Sequence, residues 1–371
     1  MKIFFLCGSL EPGKDGVGDY IRRLAIELIH QGHEVSALAL NDHFVNKEFF
    51  NVQDTLERKV GIFRIPSGWS DLKRRKKARK WLELFSPEIV SLQFVSYAFN
   101  KRGLPFTLIH QLKFLIKGYR CHIMFHELWI GMDVNAPIKD RIIGYLQKLL
   151  IQMLVKTLKP VSVHTQTSLY QAQLLRLGIE VRYLPIFGNI PISKKFCQAN
   201  RENANEKKNI YLVLFGGIHP GADVFQFAEE VAAYSKEKAV QIVLRLIGRT
   251  GKEQEHWISA WSSAGLSVQL LGEQTPDRIS EVLLKSSIGI TTTPMALVEK
   301  SGSVAAMLEH GLPVLCVRAS WKARGLHLRN RLPKIVEYQK GNLEECLSNQ
   351  NFSGRSRLAE VSSKFIDSLN R

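Results

Sequence analysis

The sequence predicts an α/β protein built from two Rossmann-like, doubly wound domains facing each other across a cleft. Three observations carry that reading. Short apolar runs alternate with helix-period segments along most of the chain, the pattern of parallel strands joined by crossover helices. A polar stretch near the middle, SKKFCQANRENANEKKN (193–209), breaks the alternation, which then restarts. The length of 371 residues suffices for two domains of ordinary size.

The elements follow in order. KIFFLC (2–7) reads as the first strand, followed by a Gly-rich loop. A helix comes next, with Ile21, Leu24, Ala25, Leu28 and Ile29 on one face, Asp19 as its N-cap and Gly32 as its stop. Further strands are expected at 34–40, 62–65, 88–93, 122–127 and 162–166, with helices at 107–116 and 138–158. In the second half, strands are expected at 210–216, 241–248, 267–272, 288–293 and 313–317. Helices fall near 222–235, 253–263, 276–285 and 302–310. The division is then 1–190, a linker 191–208, a second domain 209–345, and a terminal helix within 346–371 that packs back on the first domain. Ligands of such sheets bind outside the carboxyl ends of the strands, so function belongs to the loops there.

Composition narrows the class. Hydrophobic residues make up 45% and charged residues 23%, the proportions of a globular protein with a real core. Cys7, Cys121, Cys197, Cys316 and Cys346 are odd in number and scattered, against a disulfide framework or a zinc site. No stretch is long enough to span a bilayer, and MKIFFLCGS lacks the parts of a signal peptide. A cytoplasmic protein is expected. The net charge of +17 favours anionic partners.

One motif asks for more than a fold. EKSGSVAAMLEHGLPVL (299–315) sets a Lys, two Ser and a Gly before a helix whose inner face is Val304, Met307 and Leu308. Gly311 and Pro313 end that helix. Lys300, Ser301, Gly302 and Ser303 therefore stand at a helix N-terminus, where free N–H groups and the dipole suit a phosphate. Alternatively, a Ser is simply an N-cap and Lys300 is solvated.

TTTPMALVEKSGSVAAMLEHGLPVL resembles the nucleotide-sugar site of GT-B glycosyltransferases, most nearly the retaining family 4 enzymes. GSLEPGKDGVGDYIRRLAIELIHQGHEVSALAL (8–40), LQFVSYAFNKRGLP (92–105), FHELWIG (125–131) and LPIFGNIP (184–191) fall in that family's order, and the resemblance covers roughly residues 1–320. It implies a transferase of hexosyltransferase type that moves a sugar from a nucleotide diphosphate donor. The donor would lie on the second domain, with no cofactor and usually no metal. It implies donor contacts from Gly16, Gly18, Glu299, Lys300, Ser301, Gly302 and Ser303, and places His126 near the sugar. Glu127 beside His126 is a second catalytic candidate, while Asp19, Tyr20 and Trp129 are candidates for the acceptor.

The departures from the family pattern matter. The family's Arg and Lys after the first strand of the second domain are missing from FGGIHPGADVF (215–225), where His219 is the cationic candidate. Arg249 is a substitute cation whose plain reading is a solvated loop residue. The family's two Glu positions hold Val298 and Ala306, with Glu299 one residue off. These losses keep a rival open, a catalytically degenerate GT-B protein serving as a binding or partner subunit. A nucleotide-sugar epimerase would need carboxylates such as Glu127 and Glu299. Finally, KRRKKARK (73–80), followed by Trp81, Leu82 and Phe85, suggests a basic amphipathic helix. It is read either as a solvated charged face or as a dock for anionic lipid, which would make the protein peripheral at the inner membrane face. The acceptor would be a glycan, a lipid-linked sugar or a small molecule. No stacking motif points to nucleic acid.

Overall fold

Two mainly parallel sheets organise the chain in a computed structural model that describes residues 1–55, 58–193, 209–319, 321–326, 334–348 and 353–370. Residues 194–208 of the predicted linker, Cys197 among them, lie outside the described residues. One compact unit comprises Met1–Pro185 with Ala323–Gly325 and Leu358–Arg371. The other comprises Ile186–Lys322 with Leu326–Arg357.

The first unit holds β1 (Lys2–Cys7), β2 (Glu34–Asp42), β3 (Phe49–Thr55), β4 (Arg58–Pro66), β5 (Ile89–Phe94), β6 (Arg120–Phe125), β7 (Ser162–Thr165) and β8 (Arg182–Tyr183), in the sheet order β3-β4-β2-β1-β5-β6-β7-β8. Its helices are α1 (Gly16–His30), α2 (Asp71–Phe85), α3 (Ser96–Phe99), α4 (Phe106–Leu115), α5 (Ile138–Leu158) and α6 (Ser168–Arg176). Ile3 to Cys7 are buried without alternation, as in a strand covered on both faces. The edge strand β3 runs antiparallel to β4 and has no counterpart in the periodicity reading. It keeps Phe49 and Phe50 largely exposed, and Phe50 stacks on Phe63 and Trp81.

The second unit holds β9 (Asn209–Phe215), β10 (Gln241–Ile247), β11 (Ser267–Gly272), β12 (Ile288–Thr291), β13 (Val314–Cys316) and β14 (Ile335–Glu337), all parallel, in the order β11-β10-β9-β12-β13-β14. Its helices are α7 (Val224–Glu237), α8 (Gln254–Ser263), α9 (Pro276–Leu284), α10 (Gly302–Glu309) and α11 (Leu343–Ser348). Apolar clusters cover both faces, one around Phe227, Trp257 and Trp261, the other around Val304, Met307 and Leu283. Leu308, expected on the inner face of α10, is only half-buried, and Glu309 is buried instead. The Glu309 Oε1 accepts the N–H groups of Gly188 and Arg357, both at 3.0 Å. This carboxylate therefore ties the first and last segments of the unit to α10.

The last helix, α12 (Leu358–Leu369), belongs to the first unit. Phe365 stacks on Phe5 at 5.9 Å, and Gln31 donates to Ser362 Oγ at 2.6 Å. The N-cap of α1 is Asp15, not Asp19. The helix begins one turn earlier than expected, because the Asp15 carboxylate accepts the Gly18 N–H at 2.7 Å. Asp19 lies in the first turn and accepts the Gly13 N–H at 2.9 Å. Cys7, Cys121, Cys316 and Cys346 are buried free thiols, and burial pushes Cys121 up to about 12 and Cys316 up to about 11.

Candidate active site

In the second unit the strand order reverses between β9 and β12, and a crevice opens beyond their carboxyl ends at such a reversal. The loop after β9 is held by three hydrogen bonds, two to the end of β10 and the loop after it and one to the residue after β12. Gly216 donates to Ile247 O at 2.9 Å, Ile218 to Thr250 O at 3.2 Å, and the His219 N–H to Thr292 Oγ1 at 2.8 Å. Gly216 has a φ of +85° and lies against α10, where a Cβ would make ordinary contact with Ser303 Cβ at 3.7 Å. Ser301 is the N-cap of α10, accepting from the Val304 N–H at 3.4 Å, with Ser303 Oγ 3.1 Å from its own hydroxyl. Lys300 closes the 3-10 turn Met295–Lys300 just before it, and Glu299 sits half-buried in that turn. Capping and anion binding are compatible here. The cap uses one hydroxyl, and the first-turn N–H groups of Gly302 and Ser303 precede the intrahelical bond from Ala305 to Ser301 O.

Two residues that sequence reasoning passed over join this corner. Arg318 follows β13, and its neighbour Ala319 donates to Gly221 O at 3.2 Å. A Cβ on Gly221 would lie 2.5 Å from Arg318 Nη1, so a glycine is what lets the guanidinium cross that backbone. The Nη1 group is buried and has no hydrogen-bond partner among the described residues. Asn189 stands beside Gly302, where a Cβ would come within 3.2 Å of its Nδ2, and its Oδ1 is likewise buried with no hydrogen-bond partner among the described residues. The only sequence signal for Arg318 was a cation directly after the apolar run PVLCV. His219 feels the cluster: burial lowers its pKa, and the positive charges of Arg318 and Lys300 lower it further. Arg249, on the loop after β10, pairs with Glu273 at 3.1 Å where both are exposed.

In the first unit the reversal lies between β1 and β5. Gly18 is tightly packed, since a Cβ would meet Ser9 O at 3.1 Å, whereas Gly16 has open space around it. Asp42 anchors the loop before α1. Its carboxylate accepts the Leu10 N–H at 3.1 Å and both Arg64 Nε and Nη2, at 2.7 and 3.0 Å. Arg64 also pairs with Glu11, and Arg22 donates to Leu10 O at 2.7 Å.

His126 follows β6, is buried, and donates from Nε2 to Gln93 Oε1 at 2.8 Å. Tyr20 packs edge-on against its ring at 5.1 Å, and burial raises the Tyr20 phenol pKa. The polar line continues inward. Gln93 donates to Ser91 Oγ at 2.7 Å, Ser91 lies 2.8 Å from His122 Nδ1, and His122 Nε2 lies 2.8 Å from His164 Nδ1. Glu127 is half-buried beside His126. Trp129 is buried against Gly144, with Lys148 over its ring at 5.0 Å. Among the described residues no three His, Cys, Asp or Glu side chains gather as metal ligands.

The buried histidines make the first unit acid-sensitive. Burial holds His164 down to about 4, helped by the charge of Arg182, and burial also holds His122 well below the ordinary imidazole value. A base depressed in this way resists the proton that the unfolded chain takes up near pH 6.5, to within about a unit. The stability it contributes is complete above that pH and is lost as the pH falls towards the folded value. The stability of the first unit, read by hydrogen exchange on its own peptides, is therefore expected to drop between about pH 6.5 and pH 4. The drop should be smaller in His164→Gln, which cannot charge. Equal drops would show that the imidazoles do not set the acid limit.

No protein-family model matches the chain, and no curated protein matches it. Solved structures do. An α,α-trehalose-phosphate synthase (UDP-forming) from Burkholderia xenovorans aligns with a TM-score of 0.59 at 8% identity, over 99% of each chain. Sucrose-phosphate synthase from Thermosynechococcus elongatus aligns with a TM-score of 0.57 at 13% identity, over 85% of this chain and 81% of that one. A UDP-GlcNAc 2-epimerase from Neisseria meningitidis, bound to UDP-GlcNAc, aligns with a TM-score of 0.50 at 13% identity, over the full length of both.

The chain has the GT-B fold.

At these identities the likeness is one of fold, and the site rests on its own residues. In this GT-B chain α2 turns part of its apolar side to the core, while Leu72 and Leu84 stay exposed. Ala78 and Leu82 are buried, Phe85 packs on Phe4, and Trp81 packs on Phe63. Several of its cations already have partners: Arg74 with Asp71, Lys77 with Glu48 at 2.7 Å, and Arg79 with Glu83 at 2.7 Å. No described helix is long and apolar enough to cross a membrane.

Proposed function

We propose that the protein is a glycosyltransferase that moves a sugar from a nucleoside diphosphate sugar to an acceptor hydroxyl. The second unit would hold the donor and the first the acceptor. The observation that carries this reading is the gathering of Lys300, His219 and Arg318 at a strand-order reversal, beside the capped N-terminus of α10. A leaving diphosphate gains negative charge as the bond from sugar C1 to phosphate oxygen breaks. Fixed cations and N–H groups stabilise that charge without reorganising. The acceptor oxygen then bonds to C1, and its proton leaves with the diphosphate or a nearby base. Retention of configuration and independence of metal belong to the same proposal. Arg318 answers the missing Arg and Lys of 215–225, which weighs against a degenerate partner subunit. The epimerase neighbour keeps a second reading in view, since it binds a nucleotide sugar on the same fold.

Calorimetric titration with UDP, GDP and their sugar conjugates, with and without Mg²⁺, tests the proposal. One nucleotide sugar should bind, and Lys300→Ala should abolish the signal. Binding by none would end the donor-site reading. Product analysis separates transfer from epimerisation. Arg318→Ala is expected to weaken binding about tenfold to a hundredfold, the range for a lost charge-assisted hydrogen bond, and Arg318→Lys by less. An unchanged Kd in Arg318→Ala would remove that residue from the site.

A further inference from the structure

The longest described helix presents an apolar stripe that stays exposed among the described residues. Along α5, Ile138, Ile142, Tyr145, Leu149 and Met153 expose between 37% and 71% of their surface. Their spacing of three or four residues puts them on one face. The core face of the same helix is Gly144, Gln147, Leu150, Ile151 and Leu154, on the opposite side. The stripe runs for about 23 Å at 1.5 Å per residue. Scattered exposed apolar residues need no explanation, but a continuous row does.

Charge decides what can cover it. Lys139 flanks the stripe on one side, Arg141 and Lys148 on the other, and Lys156 extends it towards the C-terminus. The one acidic residue of the helix, Asp140, falls towards the core side by the same spacing. Ile138, Ile142 and Tyr145 also wall a groove of about 580 Å³ with Trp129, and Arg141, Lys148 and Arg324 line it. An apolar strip bordered by cations matches the boundary of an anionic bilayer, with hydrocarbon under the strip and phosphate groups beside the cations. A second copy fits poorly. Symmetric pairing would bring the same cations face to face, on a chain already at +17.

The geometry points to α5 as the surface that docks the protein on an anionic lipid bilayer, lying in the interface with Ile138, Ile142, Tyr145, Leu149 and Met153 inserted. The basic run of α2 adds charge to that docking. The inference stands apart from the sugar-transfer reading, because lipid binding is measured without any sugar nucleotide.

Flotation with phosphatidylcholine vesicles, and with vesicles also containing phosphatidylglycerol, tests it. The full chain should float with the anionic vesicles, more weakly as salt rises. The double variant Ile142→Glu with Tyr145→Glu changes only exposed positions. It should keep the wild-type melting temperature and lose about tenfold or more of the bound fraction. Lys73→Glu with Lys80→Glu on α2 should lose less. Four results would overturn the assignment: no flotation of the wild type, equal flotation on uncharged vesicles, equal flotation of the α5 variant, or a concentration-dependent dimer by light scattering that the α5 variant abolishes.

Discussion

Asp42→Ala is expected to destabilise the first unit by about 3–5 kcal/mol, the cost of leaving one member of a buried ion pair without its partner. Asp42 is fully buried and Arg64 is nearly so. Removing the carboxylate strands the Arg64 guanidinium, leaving Glu11 as its ionic partner, and withdraws the acceptor of the Leu10 and Phe44 N–H groups. Burial alone would raise the Asp42 pKa, but the Arg64 hydrogen bonds and the two backbone N–H groups outweigh it and hold it low. A carboxylate depressed in this way contributes its full stability above the unfolded value of about 3.9, and that share is lost as the pH falls through the folded value. The penalty of Asp42→Asn, which keeps the shape and loses the charge, should therefore shrink in acid. Because the chain has two units, one melting curve does not isolate the effect. Hydrogen exchange read peptide by peptide does. Peptides from β1, β2 and the 8–15 loop should lose protection while those from β9 to β13 keep it. A change under about 1 kcal/mol would mean the pair is replaceable by packing, as some buried pairs are.

The consequence reaches the loop before α1, where the sequence alone was least informative. The helix pattern of α1 was plain from Ile21, Leu24 and Leu28, all of them buried. Its start was not, because Asp15 and Asp19 are both acceptable caps by type. Only the 2.7 Å bond from Gly18 decides between them. Periodicity works where one face meets a core, and α5 was predicted over the span it occupies, Ile138–Leu158. It fails at β3, an edge strand with both Phe49 and Phe50 turned largely to solvent. The candidate site divides in the same way. Lys300 to Ser303 are contiguous, so a motif shows them. Arg318 comes from the next strand and joins them only through the sheet order β9-β12-β13. The polar line behind His126 is invisible for the same reason. The register of β5 and β6 sets Ser91 opposite His122, and that pairing cannot be read from either strand alone.

If His126 handles a proton in the proposed transfer, His126→Ala is expected to lower turnover by about 10²–10⁴, with nucleotide binding to the second unit little changed. The behaviour of its neighbour is the sharper test. Gln93 Oε1 accepts the His126 Nε2–H, so a neutral ring carries its proton there and keeps Nδ1 as the acceptor. On that reading Gln93 is a positioning residue: its acceptor sets the ring's tautomer and angle, while Tyr20 packs against the ring from the side. Gln93→Leu should lower kcat about tenfold or more and leave KM for the donor nearly unchanged, since misplacing a group by a fraction of an ångström is enough. Gln93→Glu sets a carboxylate in the same place. It should favour the imidazolium and move the acid limb of the pH–rate profile upwards. A merely structural Gln93 would lower the amount of folded enzyme in both variants and leave the profile where it was. If the limb does not move in Gln93→Glu, and His126→Ala retains wild-type turnover, the ring takes no part in the transfer. The line of Gln93, Ser91, His122 and His164 would then be a polar seam that orders the sheet.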